Sequence, residues 1–173
     1  MKKIIFRVCF MSAAVVAGYA QANDGTIHFT GSISDQTCAV DSGSQNLPVD
    51  LGKVSQTALN GGAGTKAAPT RFTLSLSACP DTVTSASVKF DGNTDDTNQN
   101  LLALDGGTGV ASGVGIEIAD INDIPIPIHS TSADYPLSAG SNSLNFVARY
   151  VSTKETVDVG TANATSQFTI NYK

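Results

Sequence analysis

Short runs in which apolar and polar residues alternate, each closed by a turn-forming cluster, leave this chain little choice but a β architecture. Thr26–Ile33 sets Ile27, Phe29 and Ile33 on one face and Thr26, His28, Thr30 and Ser32 on the other. Arg71–Ala78 alternates Phe72, Leu74 and Leu76, and Val83–Phe90 carries Val88 and Phe90 after a start of small residues. Val114–Ala119 brings Val114, Ile116 and Ile118 together; Ser143–Val151 does so for Leu144, Phe146, Ala148 and Tyr150; Ser166–Tyr172 for Phe168, Ile170 and Tyr172. Between them lie Asn60-Gly61-Gly62, Asp91-Gly92-Asn93, Asp105-Gly106-Gly107 and Gly140-Ser141-Asn142, residue types that tolerate the backbone angles of tight turns. No segment shows sustained 3.6-residue periodicity. Strands that are apolar on one face need a second sheet to cover them, so the pattern predicts an all-β sandwich. Tryptophan is absent, which removes the Cys–Trp–Cys core of antibody domains. Residues 60–68 read as a flexible loop, and no linker or internal repeat divides the chain.

The start of the chain reads differently. Lys2, Lys3 and Arg7 precede an apolar stretch from Val8 to Ala17, and Ala20-Gln21-Ala22 has the small-x-small form of a signal-peptidase site. The stretch is too short to span a bilayer. Cleavage after Ala22 takes 22 of the 173 residues and leaves 151, a length that suits one domain with a real core. It also takes three of the ten basic residues and none of the fifteen acidic ones, so the formal charge moves from −5 to −8. An acidic chain with scattered charges argues against nucleic acid and against insertion into an anionic membrane. Cys9 goes with the leader. Cys38 and Cys79 stay, 41 positions apart, and in an oxidising exported compartment an even pair reads as one disulfide. Closing such a loop contributes roughly 4 kcal/mol in the chain-entropy account. Two cysteines without neighbouring histidines do not fill a zinc site.

The residues do not assemble a reaction centre. His28 and His129 are the only histidines, too few for a clustered copper or zinc site. No Gly-x-Ser-x-Gly elbow and no phosphate-binding glycine loop followed by Lys-Ser/Thr is present. Asp91, Asn93, Asp95 and Asp96 resemble a calcium loop but lack its spacing and its closing glutamate, so they read as a solvated turn. Asn163-Ala164-Thr165 is a glycosylation sequon by pattern alone. The expectation is a protein that is not an enzyme and takes no cofactor or metal.

Chemistry gathers instead at the two ends, each an alternating strand. A strand at the end of a chain has few neighbours, and its unpaired edge invites aggregation unless another chain covers it. Strand addition between chains uses that edge, with backbone hydrogen bonds for affinity and alternate side chains in pockets for specificity. Gly25–Ile33, Cys38–Asp41, Val49–Val54, Phe72–Cys79 and Phe146–Tyr150, in that order, resemble a chaperone–usher pathway pilin, and in particular the major subunit of type 1 fimbriae. Gly160, fourteenth from the end, and the penultimate Tyr172 match that family's C-terminal pattern.

The resemblance implies an immunoglobulin-like sandwich lacking its last strand and completed in trans. It implies a signal peptide over 1–22, an N-terminal donor-strand extension over 23–36 and a pilin domain over 37–173. Ile27, Phe29 and Ile33 would insert into a neighbour's groove, with Gly31 where the groove is too shallow for a Cβ. Gly160, Phe168, Ile170, Tyr172 and Lys173 would border the groove and meet a periplasmic chaperone, which hands the subunit to an outer-membrane usher. The partners implied are identical or related pilin subunits, the chaperone and the usher, and the destination is a fimbria on the cell surface that supports adhesion. The competing expectation is a single-domain minor or tip subunit with its own host-glycan surface. Such subunits usually carry an extra lectin domain and lack the donor strand; a chain of this length is expected to be too short for the first, and its residues 25–33 resemble the second.

Overall fold

A computed structural model of the chain describes residues 25–31 and 37–173. The chain falls into two compact units, Met1–Ile33 and Ser34–Lys173. The second unit contains β1 (Ala39–Val40), the single turn α1 (Ser42–Gln45), a 3-10 turn (Gln56–Ala58), β2 (Lys66–Cys79), β3 (Ser85–Asp91), β4 (Val114–Asp120), β5 (Tyr135–Pro136), β6 (Gly140–Ser152) and β7 (Gln167–Tyr172). One sheet has the order β1-β2-β6-β4 and the other β5-β3-β7, with antiparallel pairing throughout.

The inner faces of the two sheets meet in an aromatic cluster. Phe146 on β6 is fully buried. Its ring stacks on Phe72 of β2 at 5.4 Å and meets Phe90 of β3 edge-on at 5.2 Å and Tyr135 of β5 at 5.3 Å. These are the offset and edge-to-face geometries that the ring quadrupole favours. Leu74, Leu76, Val88, Ile116, Ile118, Leu144 and Ala148 fill the space around it. The free edge of β4 is covered by loop backbone: Leu102 and Ile116 exchange N–H···O bonds of 2.8 and 2.9 Å, and Ile126 N–H donates to the Ile118 carbonyl. Across β4 and β6, Glu117 and Arg149 face one another, both nearly buried, and Arg149 also reaches Asp123 at 2.5 Å.

β2 is longer than the alternation in Arg71–Ala78 indicates, because it passes through two bulges. Its register against β6 shifts between Ala67 and Thr70 and again between Leu76 and Cys79. At each shift an alanine takes a left-handed conformation, Ala68 at φ 52° and Ala78 at φ 50°. Pro69 sits in the first bulge, the one kind of place inside a sheet where its missing N–H is not needed. Residues 60–68 are therefore not a flexible loop. Lys66–Ala68 belong to the strand, and the turn before them is tied to β6 by Gly64 N–H to the Ser152 carbonyl and by the Ser152 hydroxyl to Gly62. β3 begins at Ser85, two residues later than the pattern predicts. The disulfide forms as expected: Cys38 and Cys79 are bonded, closing β1 onto the end of β2.

Candidate functional site

β7 is the edge strand of its sheet: β3 pairs with one side, and among the described residues no strand pairs with the other. Its side chains alternate as the sequence predicts. Phe168, Ile170 and Tyr172 turn inward and lie half-buried against the core, while Gln167, Thr169 and Asn171 are exposed. The ladder also fixes where the backbone points. Ser85 and Lys173 exchange a pair of hydrogen bonds, 2.9 and 3.3 Å. In an antiparallel ladder alternate residues bond the same partner. Residues 169 and 171 therefore bond β3, and the N–H and C=O of Phe168, Ile170 and Tyr172 face the open edge. The same three residues present apolar side chains to the interior and, outward, backbone that has no partner among the described residues.

Val49, Leu51 and Val54, in the segment after α1, supply further half-buried apolar surface on the core. No backbone hydrogen bond joins that segment to β7 among the described residues. At the Tyr172 end the gap narrows, where the Tyr172 hydroxyl lies 3.4 Å from the Cys38 carbonyl. Beside Val54, a cavity of about 500 Å³ is lined by Leu59, Val114, Tyr150, Val157 and Ala162 among others. Tyr150 donates to the Ala162 carbonyl at 3.0 Å. Burial raises the phenol pKa of both Tyr150 and Tyr172, so each stays neutral and hydrogen-bonding through the physiological range.

Gly160 lines this cavity. A Cβ there would fall on the Val110–Ala111 peptide, so only glycine allows the close crossing. The crossing is stitched by Ala111 N–H to the Thr161 carbonyl and Thr161 N–H to the Gly109 carbonyl, both 2.9 Å. Lys173 closes β7: its ammonium meets both oxygens of Asp134 at 2.8 Å, and its carbonyl accepts the N–H of Thr84 and Ser85.

In the first unit, Gly25–Gly31 have no regular secondary structure, so the strand predicted over Thr26–Ile33 is not formed in its described part. A strand exists only when its backbone has a ladder partner, and alternation alone does not provide one. Ile27 is 78% exposed and Phe29 92% exposed, and the space around Gly31 is open. Ile33 lies outside the described residues. The wall residues Val49, Leu51 and Val54 carry too short an apolar pattern to mark a wall on their own. Gln56 and Asn60, which hold Val157 in the cavity wall, give no sequence signal at all, because their partner Val157 is about a hundred positions away. The remaining polar clusters serve the fold: Asp95 accepts the N–H of Thr97 and Asn98, and Asp91 accepts from Lys89 and His129, which lowers its pKa. Among the described residues no three or more His, Cys, Asp and Glu side chains converge on a metal-sized site, and no helix is long and apolar enough to cross a membrane.

Known proteins resemble the chain along nearly its whole length. The family model described as fimbrial protein matches residues 27–173. The chain belongs to the fimbrial protein family. It is 40% identical over 183 residues to a type-1 fimbrial protein subunit of Serratia marcescens, covering all of both chains. Among solved structures, a Burkholderia pseudomallei antigen and type I fimbria protein is 38% identical with a TM-score of 0.62, over 86% of this chain and 97% of that one. The rod subunit of the P pilus, 21% identical, shares the fold with a TM-score of 0.67 over 79% of this chain and 99% of that one. This member of the fimbrial family is thus a structural subunit of a surface fimbria, built on an immunoglobulin-like sandwich that is short of one strand beside β7.

Proposed function

We propose that the subunit polymerises by strand donation: residues 25–33 of one copy lie along the open edge of β7 in the next. The observation that carries this is the geometry of β7, where Phe168, Ile170 and Tyr172 combine inward apolar side chains with outward backbone left without a partner among the described residues. Every strand pair in the sandwich is antiparallel, and antiparallel pairing is the more stable per residue, so the donor runs antiparallel to β7. Its N-terminal end then lies near Tyr172, and Ile33, about 20 Å along the strand from Ile27 at about 3.4 Å per residue, reaches the cavity beyond Phe168. Burying Ile27, Phe29 and Ile33 contributes roughly 1.5–3 kcal/mol each, and the backbone bonds a net of about 1 kcal/mol each. After ordering costs the contact still dissociates slowly. Gly31 lets the donor pass where a side chain would hold it off.

Before assembly the groove needs another occupant. A periplasmic chaperone that lends a strand to β7, and an outer-membrane usher where the neighbour's extension displaces it, meet that need after export under the N-terminal leader. Tyr172→Ala is expected to reduce co-purification with the chaperone. The direct test is deletion of residues 23–33. The variant is expected to remain monomeric and to gain several degrees in Tm when a free peptide of residues 23–34 is added. Normal polymerisation by the deleted variant, or an unchanged Tm with peptide, would overturn strand donation.

A further inference from the structure

Both backbone groups of Val157 are taken by side chains of one exposed turn. Gln56 Nε2 donates to the Val157 carbonyl, and the Val157 N–H donates to Asn60 Oδ1 at 2.8 Å. Gln56 opens the 3-10 turn, and Asn60 follows it with its own N–H on the Gln56 carbonyl at 3.1 Å, so the two amides are held at a fixed spacing. They present to Val157 the acceptor and donor that a neighbouring strand would present. Val157 itself is 4% exposed and lines the cavity with Leu59 of the same turn. On its other side the segment is knit to residues 109–113: Asp158 N–H bonds the Ser112 carbonyl at 3.1 Å, and a Cβ on Gly113 would lie 2.8 Å from the Thr156 carbonyl. Val157 is therefore gripped from two sides beside the cavity.

We infer that Gln56 and Asn60 are positioning residues for strand addition: by occupying the backbone of Val157 they hold the cavity in the shape that receives the last apolar side chain of a second copy's extension. The inference rests on the strand-donation reading. With Val157 satisfied by side chains, an incoming strand has no free backbone partner there and stops in register, with Ile33 at the cavity. Without the clamp, a buried N–H and C=O lose their partners, the 157–160 segment moves away from the turn, and the cavity widens. Neither amide needs to touch the donor.

The test is a mutant cycle in fibres of the full chain, read as the dissociation rate of isolated fibres in denaturant. Asn60→Ala and Ile33→Ala are each expected to speed dissociation about tenfold. The double variant is expected to be no faster than Ile33→Ala alone, because both changes remove the same contact. Asn60→Asp keeps the acceptor oxygen and is expected to restore the wild-type rate. Gln56→Glu, which sets an acceptor against the Val157 carbonyl, is expected to behave as Asn60→Ala does and serves if that variant does not fold. Additive effects of Asn60→Ala and Ile33→Ala, or an unchanged rate in both clamp variants, would overturn the inference. If Ile33→Ala has no effect while Phe29→Ala dissociates the fibre, the cavity assignment fails and strand donation stands. If neither has an effect, strand donation itself fails.

Discussion

At the scale of single residues, the structure contains side chains whose cost to stability is visible. The hydroxyl of Tyr135 is buried and has no hydrogen-bond partner among the described residues, and burial, with Asp120 adding to it, pushes its pKa up to about 12. A folded-state pKa above the unfolded value of 10.0 means stability that is present below pH 10 and is lost as the pH rises towards 12. Tyr135→Phe keeps the ring against Phe146 and removes the unsatisfied oxygen. It is expected to gain about 1 kcal/mol in urea unfolding at neutral pH and to lose less stability than wild type between about pH 10 and 12. Gly160 is the opposite case. Gly160→Ala must push the Val110–Ala111 peptide aside and is expected to cost about 1–3 kcal/mol in the same assay, as overpacking does. The spacing of Gly160 from the penultimate tyrosine singles it out in the sequence, but the reason for it is a crossing of two loops about fifty positions apart, which no local pattern encodes. The Gln56 and Asn60 amides are hidden for the same reason.

At the scale of elements, period-two alternation makes β4 and β7 legible to within a residue, whereas β6 begins at Gly140, three residues before the predicted Ser143, so Gly140-Ser141-Asn142, read from the sequence as a turn, opens the strand. Where the alternation fails, the cause is identifiable. β1 and β5 are two residues long and have no period to read. The start of β2 falls inside the loop predicted over residues 60–68 because Ala67 and Ala68 are small, yet a bulge that also takes in Pro69 absorbs them and the pairing with β6 resumes at Thr70. Ala68 and Ala78 hold left-handed angles that disfavour any side chain by roughly 1–2 kcal/mol. Ala68→Gly relieves that strain at the cost of some chain entropy and is expected to be neutral or stabilising by up to about 1 kcal/mol. Ala68→Val, β-branched at a positive φ, is expected to lower stability by more than about 1 kcal/mol. An Ala68→Val variant as stable as wild type in thermal unfolding would show that the bulge can shift its strained residue elsewhere. The apolar face at Gly25–Ile33 is as clear as that of β7, but pattern reports which face would be buried, not whether a partner is present.

At the scale of the whole molecule, a donor at one end and an acceptor edge elsewhere make the proposed contact heterologous: the surface that gives is not the surface that receives. Such contacts do not close on themselves unless the rotation happens to form a ring, and otherwise grow an open filament. Each copy needs both functions to sit inside the filament but only one to sit at an end. Gly31→Leu separates them. The substitution lies in the extension, outside the sandwich unit that carries the acceptor edge, so the variant keeps an intact β7 and cavity and still receives a strand. Its own extension, with a bulky side chain between Phe29 and Ile33, cannot lie flat along the next subunit's edge. A Gly31→Leu copy therefore terminates the filament that it joins. Co-expressed with wild type, it is expected to shorten surface fibres in proportion to its share of the subunit pool, measured as fibre length by electron microscopy with the variant tagged. Expressed alone, it is expected to give no fibres while the subunit still folds with Cys38 and Cys79 oxidised. Fibres of normal length with the tag spread along them would mean that position 31 tolerates a side chain, and that the donor passes over the groove at a different height from the one proposed.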